Sequence, residues 1–81
     1  MKVESVKTII SEEKGFINFK EAQLNIKETG EWYVELDGIE NYLELFGTSL
    51  NLRIETTEGW YRARGFIDDD IIRSSEGLET L

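Results

Sequence analysis

The residues best suited to chemistry lie on the second strand of a predicted hairpin, residues 50–67. Trp60, Arg62 and Arg64 alternate with other residues, so they project from one face of that strand. Arginine offers a planar fork to phosphate or carboxylate, and tryptophan offers a stacking surface. With Arg53 on the first strand, this face is a candidate platform for an anion or a nucleotide. The alternative is an ordinary outer sheet face, where arginine stems cover Trp60 and pair with carboxylates.

A second candidate surface is acidic. Glu31, Glu35 and Asp37 share one side of a predicted strand, and Glu28 lies in the turn before it. Such a surface would dock on a basic surface of another protein, and it would mimic nucleic acid if the partner normally binds nucleic acid. The alternative is a solvated strand face with no partner.

The composition argues against catalysis. The chain contains neither cysteine nor histidine, which removes thiolate metal ligands and the commonest general base near neutral pH. No serine has a base at a suggestive spacing, and no pair stands out among the 17 carboxylates. The run of residues 68–70, three aspartates, lacks the ligand spacing of a calcium loop and predicts a solvated turn. We therefore expect no enzyme activity, no cofactor and no metal site.

Length and charge limit the partners. The 81 residues make a single small domain, and the net charge is −8. That charge argues against direct binding to nucleic acid or to an anionic membrane. No apolar segment follows Met1 as in a secretory signal, and no apolar run is long enough to span a membrane. These features predict a cytoplasmic protein.

Short alternating segments joined by turns predict an all-β fold. A bulge is expected near Lys20 and Glu21, where the apolar residues change from odd-numbered to even-numbered positions. Residues 74–77 are predicted to form a last turn. On the first strand, alternation places Val6, Thr8 and Ile10 on one face. The predicted strands are residues 2–10, 16–27, 32–37, the two arms of the hairpin 50–67, and a short strand from residue 71.

The segment of residues 39–46 is ambiguous. Its apolar residues fall at helical spacing, with Asp37 as a helix cap and Gly47 as the terminal glycine. The strand interpretation pairs Leu43 with Leu45 on one face and gives an unbroken meander. We favour the strand and keep one short helix at 39–46 as the alternative.

The spacing of the strands predicts a small antiparallel barrel, SH3-like or OB-like. The strands at residues 43–45 and 52–55 and the Gly59-Trp60-Tyr61 turn resemble a family of short bacterial and phage proteins with SH3-like barrels. The resemblance covers about a quarter of the chain. It implies a small barrel and an origin in a phage or mobile element, and the family has no assigned activity.

Three functions fit these observations. The first, which we favour, is a small acidic non-catalytic binding protein that docks on another protein, such as an inhibitor encoded by a phage. The second is a small-molecule or nucleotide-binding module that uses the Arg/Trp face. The third is a structural protein whose strand edges pair with further copies, because exposed edges invite such pairing.

Overall fold

The architecture is an all-β barrel, seen in a computed structural model that describes residues 1–40 and 42–81. The described residues form eight strands and one helical turn. The elements are β1 (Lys2–Ser11), β2 (Gly15–Phe16), β3 (Glu21–Ile26), β4 (Trp32–Asp37), α1 (Tyr42–Leu45), β5 (Ser49–Thr56), β6 (Gly59–Asp68), β7 (Ile71–Ser74) and β8 (Glu79–Thr80). The predicted all-β class and small antiparallel barrel are confirmed.

The barrel closes in the order β1-β3-β4-β7-β6-β5, with β5 returning to β1. Every pairing between strands is antiparallel, and β2 and β8 extend the edges of β1 and β6. Alternate residues of each strand point inward and form one core. Its largest members are Trp32, Ile9, Leu24, Leu50, Leu52, Ile54, Ile67 and Ile72, all nearly inaccessible to solvent.

β1 changes its inward face at a bulge. The register with β5 shifts between Val6 and Thr8, so Lys7 is the extra residue. Val6 and Ile9 are therefore both buried, whereas Thr8 is only half-buried. The predicted single face of Val6, Thr8 and Ile10 is wrong because simple alternation does not survive an inserted residue.

The predicted strand over residues 16–27 is interrupted. β2 ends at Phe16 and β3 begins at Glu21, although both pair with the same strand, β1. Phe16 lies opposite Ile10, and Gln23 lies opposite Ser5. The seven residue steps from Phe16 to Gln23 therefore face only five steps of β1. The two residues in excess leave the ladder between β2 and β3, in the region where the sequence predicted a bulge.

The preferred strand at residues 39–46 is wrong, and its described part contains a helical turn instead. α1 spans Tyr42–Leu45, and residue 41 lies outside the described residues. β7 occupies the place beside β4 that an unbroken meander would have given to this segment. The segment must instead cross to β5, and it turns at Gly47, whose φ is +72°. Leu45 is buried there, whereas Phe46 is largely exposed.

The central hairpin is confirmed. β5 and β6 pair without a break from Ser49 opposite Phe66 to Thr56 opposite Gly59. Ala63, Gly65 and Ile67 alternate with the arginines of β6 and face the core. The turn predicted at residues 68–70 is present at residues 69 and 70, between β6 and β7, whereas Asp68 ends β6.

Gly65 is the position where the core tolerates no side chain. A Cβ there would meet the backbone oxygen of Arg73 and lie 3.1 Å from the ring of Trp32. We expect Gly65→Ala to lower the free energy of unfolding by about 1–3 kcal/mol, because neither the strand nor the indole can retreat without disturbing the core. Urea unfolding measures this change. Gly77→Ala is the control, since its Cβ would meet nothing within 4 Å, and an equal loss in both variants would contradict the explanation.

Candidate functional site

The predicted Arg/Trp face lies on the outside of the β5–β6 hairpin. Arg53 of β5 stands directly opposite Arg62 of β6, and Asn51 stands directly opposite Arg64. We call these four residues the arginine block. All three arginines are exposed, and Trp60 beside the block is half-buried. The structure therefore brings Arg53 and Arg62 together, as neighbours across two strands.

The arginines of the block are weakly neutralised from within the chain. Arg62 lies 3.9 Å from the Glu79 carboxylate, a long and solvent-exposed ion pair. Arg64 donates to the Ser49 hydroxyl at 3.3 Å. Among the described residues, no carboxylate lies within ion-pair distance of Arg53. Like charges placed directly opposite on a sheet destabilise it, so the Arg53–Arg62 pair costs the fold stability.

Glu13 borders the other end of the arginine block. Its carboxylate accepts hydrogen bonds from the backbone amide of Asn51 at 2.9 Å and from the Asn51 side chain at 2.7 Å. These bonds, with a smaller contribution from Arg64, lower the pKa of the exposed Glu13 carboxyl. The amide of the block is thus oriented by a carboxylate.

An apolar groove adjoins Arg53. It has a volume of about 490 Å³ and is lined by Ile10, Arg53, Gly59, Trp60 and Leu81. Leu81 is held there because its backbone amide donates to the Trp60 carbonyl at 3.0 Å, and more than half of its surface is exposed. The groove places a guanidinium group beside an indole ring, which is the chemistry expected for a planar anionic ligand.

The acidic surface is organised by the β3–β4 pairing. Glu21 stands directly opposite Asp37, and Gln23 stands directly opposite Glu35. We call these four residues the acidic block. No lysine or arginine in the described part of the chain lies within ion-pair distance of its three carboxylates. The Glu35 carboxylate accepts a hydrogen bond from the Asn25 side chain at 3.2 Å, and it has no charged partner.

The predicted acidic face is thus rearranged. Glu35 and Asp37 lie on the outer face of β4, as expected, and Glu21 joins them from the neighbouring strand. Glu31 lies just before β4 and pairs with Lys27 at 3.7 Å. Glu28 is exposed in the turn. The three unpaired carboxylates that the structure gathers are therefore Glu21, Glu35 and Asp37.

The two blocks occupy opposite sides of the barrel. Going around the closed sheet, β1 separates β3 from β5 on one side, and β7 separates β4 from β6 on the other. The molecule thus presents a negative surface and a positive surface that face away from each other. A partner bound to one block leaves the other accessible.

A buried carboxylate that the sequence did not single out lies inside the barrel. Glu4 on β1 accepts hydrogen bonds from the Thr56 hydroxyl at 2.7 Å and from the Tyr61 hydroxyl at 2.9 Å. The ammonium group of Lys2 lies 3.2 Å from it. Burial alone would raise the pKa of Glu4, but these three partners together hold it below its ordinary value.

The pKa of Tyr61 is shifted upward, whereas that of Glu4 is lowered. Burial and the hydrogen bond to the Glu4 carboxylate raise the pKa of Tyr61 to about 12, because a phenolate there would face a negative charge. Glu4 is therefore ionised and Tyr61 neutral across the physiological range. The pair joins the start of β1 to the β5–β6 hairpin, and its hydrogen-bonding capacity is used within the fold.

Comparisons with known proteins add no assignment. The chain matches no protein-family model, no curated protein and no solved structure. Within the described residues, no group of three or more acidic side chains is arranged to hold a metal ion. The same part of the chain contains no helix long and apolar enough to cross a membrane.

Two signals for these sites were present in the sequence. Counting outward from the turn at residues 57 and 58 places Arg53 opposite Arg62, and counting from the turn at 28–30 places Glu21 opposite Asp37. Glu4 carried no comparable signal. Its partners Thr56 and Tyr61 lie more than 50 residues away along the chain.

The Glu4 contacts predict an acid-sensitive contribution to stability. Because the folded pKa of Glu4 is lowered, its contribution is present above the unfolded value near 4.5 and is lost as the pH falls through the folded pKa. We expect Glu4→Gln to lower the free energy of unfolding at pH 7 by about 2 kcal/mol, the scale of hydrogen bonds to a buried charge. Urea unfolding at pH 7 and at pH 3 measures both effects.

The matched control is Glu12→Gln, which removes one charge from an exposed residue just after β1. It should match the wild type at both pH values to within about 0.5 kcal/mol. The explanation is wrong if Glu4→Gln costs as much at pH 3 as it does at pH 7, because the contribution of the ionised carboxylate must shrink once the pH falls below the unfolded value near 4.5.

Proposed function

We propose that the protein is a small, non-catalytic binding protein that docks on another protein through its acidic block. The observation that carries this proposal is the position of Glu21 directly opposite Asp37, with Glu35 beside them and no basic partner among the described residues. Opposed like charges lower the stability of a sheet. A basic partner surface would remove that cost on binding.

The partner is a protein with a basic surface. Three carboxylates without ion pairs attract lysine and arginine, and the net charge of −8 accelerates the encounter with a positively charged surface. The groove beside the acidic block has a volume of about 540 Å³, and Lys20, Glu21, Gln23, Glu35 and Asp37 contribute to its lining. This groove is large enough to admit protruding basic side chains.

The setting we propose is the cytoplasm of a bacterial cell, and the role is that of an inhibitor encoded by a phage or mobile element. The resemblance of residues 43–45, 52–55 and 59–61 to short bacterial and phage proteins motivates this part of the proposal. If the target normally binds nucleic acid, the acidic block would act as its mimic. Competition with duplex DNA distinguishes this case from ordinary protein docking.

A second candidate function is supported by the groove beside Arg53. The Arg53–Arg62 pair and the indole of Trp60 offer charge and a stacking surface to an anionic small molecule such as a nucleotide. Bound phosphate would relieve the repulsion between the two guanidinium groups. This function uses the side of the barrel opposite the acidic block.

The acidic block predicts charge-specific capture of basic proteins. The double variant Glu21→Gln with Asp37→Asn should retain at most about a tenth of the basic proteins that the wild type captures from a bacterial lysate, since each lost ion pair costs about 1 kcal/mol or more at an interface. Quantitative mass spectrometry of the captured proteins measures this. The control, Glu12→Gln with Glu28→Gln, makes the same change in net charge on exposed residues outside the block. Equal capture by both double variants would refute docking through this block.

The groove predicts that an anionic ligand will depend on two particular arginines. In calorimetry with a panel of nucleotides, the wild type should give binding heat. The double variant Arg53→Gln with Arg62→Gln should bind at least about tenfold more weakly, because each guanidinium contributes a charge-assisted hydrogen bond. Arg73→Gln is the control, since Arg73 already pairs with Asp68 at 2.9 Å. Absence of heat with every nucleotide would reject this second function.

A further inference from the structure

The acidic and arginine blocks share one arrangement with opposite charge. In the acidic block, the charged pair is Glu21 and Asp37, and in the next row a carboxylate on the second strand faces an amide on the first. In the arginine block, the charged pair is Arg53 and Arg62, and in the next row Arg64 on the second strand faces the amide of Asn51 on the first. Each block is therefore three like charges and one amide.

The two blocks also share their dimensions. Both are built from directly opposed residues of adjacent antiparallel strands, whose side chains start about 5 Å apart across the strands. Successive outward residues of one strand are about 7 Å apart. The spacing of the carboxylates in one block therefore corresponds to the spacing of the guanidinium groups in the other.

We infer that the acidic block of one molecule binds the arginine block of a second copy of this chain. The occupant is fixed by charge complementarity. Arg53 has no carboxylate partner among the described residues, and neither Glu21 nor Asp37 has a basic one in the same part of the chain. The contact would supply both at once, and it would separate each opposed like-charged pair by counter-charges.

The position of the blocks determines the kind of assembly. Because they lie on opposite sides of the barrel, a molecule cannot offer both blocks to the same neighbour. The contact is heterologous, so each copy binds one neighbour through its acidic block and another through its arginine block. Such contacts form open head-to-tail chains unless the rotation between copies closes a ring. This inference goes beyond docking on a different protein, and it does not depend on that function.

The net charge gives the association an unusual salt dependence. At about 0.01 M salt the Debye length is about 30 Å, so molecules of charge −8 repel each other before the blocks meet. At about 0.15 M salt the Debye length falls to about 8 Å, which leaves mainly the charges at the contact. At about 1 M salt these contacts are screened as well. Self-association should therefore be strongest at intermediate salt.

Sedimentation velocity tests the inference with two complementary variants. The acid-neutral variant carries Glu21→Gln and Asp37→Asn, and the arginine-neutral variant carries Arg53→Gln and Arg62→Gln. We expect the wild type to form species larger than a monomer at high concentration near 0.15 M salt, and each variant alone to be monomeric. Mixing the two variants should give a 1:1 dimer and nothing larger, because only one intact pair of blocks remains.

The controls keep the experiment decisive. The control variants Glu12→Gln with Glu28→Gln, and Arg73→Gln, should associate as the wild type does. The four substituted residues are all charged and exposed, and removing opposed like charges should leave the melting temperature unchanged or raise it. A wild type that stays monomeric at all three salt concentrations overturns the inference. So does association that persists in either neutral variant, or a mixture that yields no dimer.

Discussion

Closure of the barrel depends on β1, because this strand pairs with β3 through its first half and with β5 through its second. The bulge at Lys7 lets one strand serve both neighbours while its buried side chains still reach a single core. The Glu4 carboxylate then fastens the start of β1 to Thr56 and Tyr61 of the central hairpin. A buried charge is tolerated there because every partner that it needs is supplied by the strands that closure brings together.

Closure also decides what the surface can do. Once β1 joins β3 to β5, the β3–β4 and β5–β6 hairpins must lie on opposite sides of the barrel. Their registers then fix which outward residues become neighbours, and in both hairpins those neighbours carry like charge. The two charged blocks are therefore a consequence of hairpin register and barrel order, since the strands alone bring their residues together.

The local features of this fold could be predicted from the sequence, whereas most of its long-range features could not. Alternation and turn residues located the central hairpin and β4. Counting residues outward from the turn of that hairpin also places Arg53 opposite Arg62. An inserted residue such as Lys7 has no signature, because the polar residue that bulges resembles any outward-facing one. The path of residues 38–48 depends on β7 taking the place beside β4, which is a non-local pairing. Glu4 could not be recognised as a buried carboxylate because its partners, Thr56 and Tyr61, are distant in the sequence.

The distribution of charge pairs is the best argument that the two blocks act outside the chain. Elsewhere this molecule does pair its charges, as Lys27 with Glu31 and Arg73 with Asp68 show. An outer sheet face that served only solubility would do the same across its strands, because opposite charges stabilise a cross-strand pair and like charges weaken it by up to about 1 kcal/mol. In a domain of 81 residues, whose core is small, two such costs are a substantial fraction of the total stability. Within the chain, Glu79 offsets this segregation only weakly, at 3.9 Å from Arg62, so opposite charge from another molecule would offset it further.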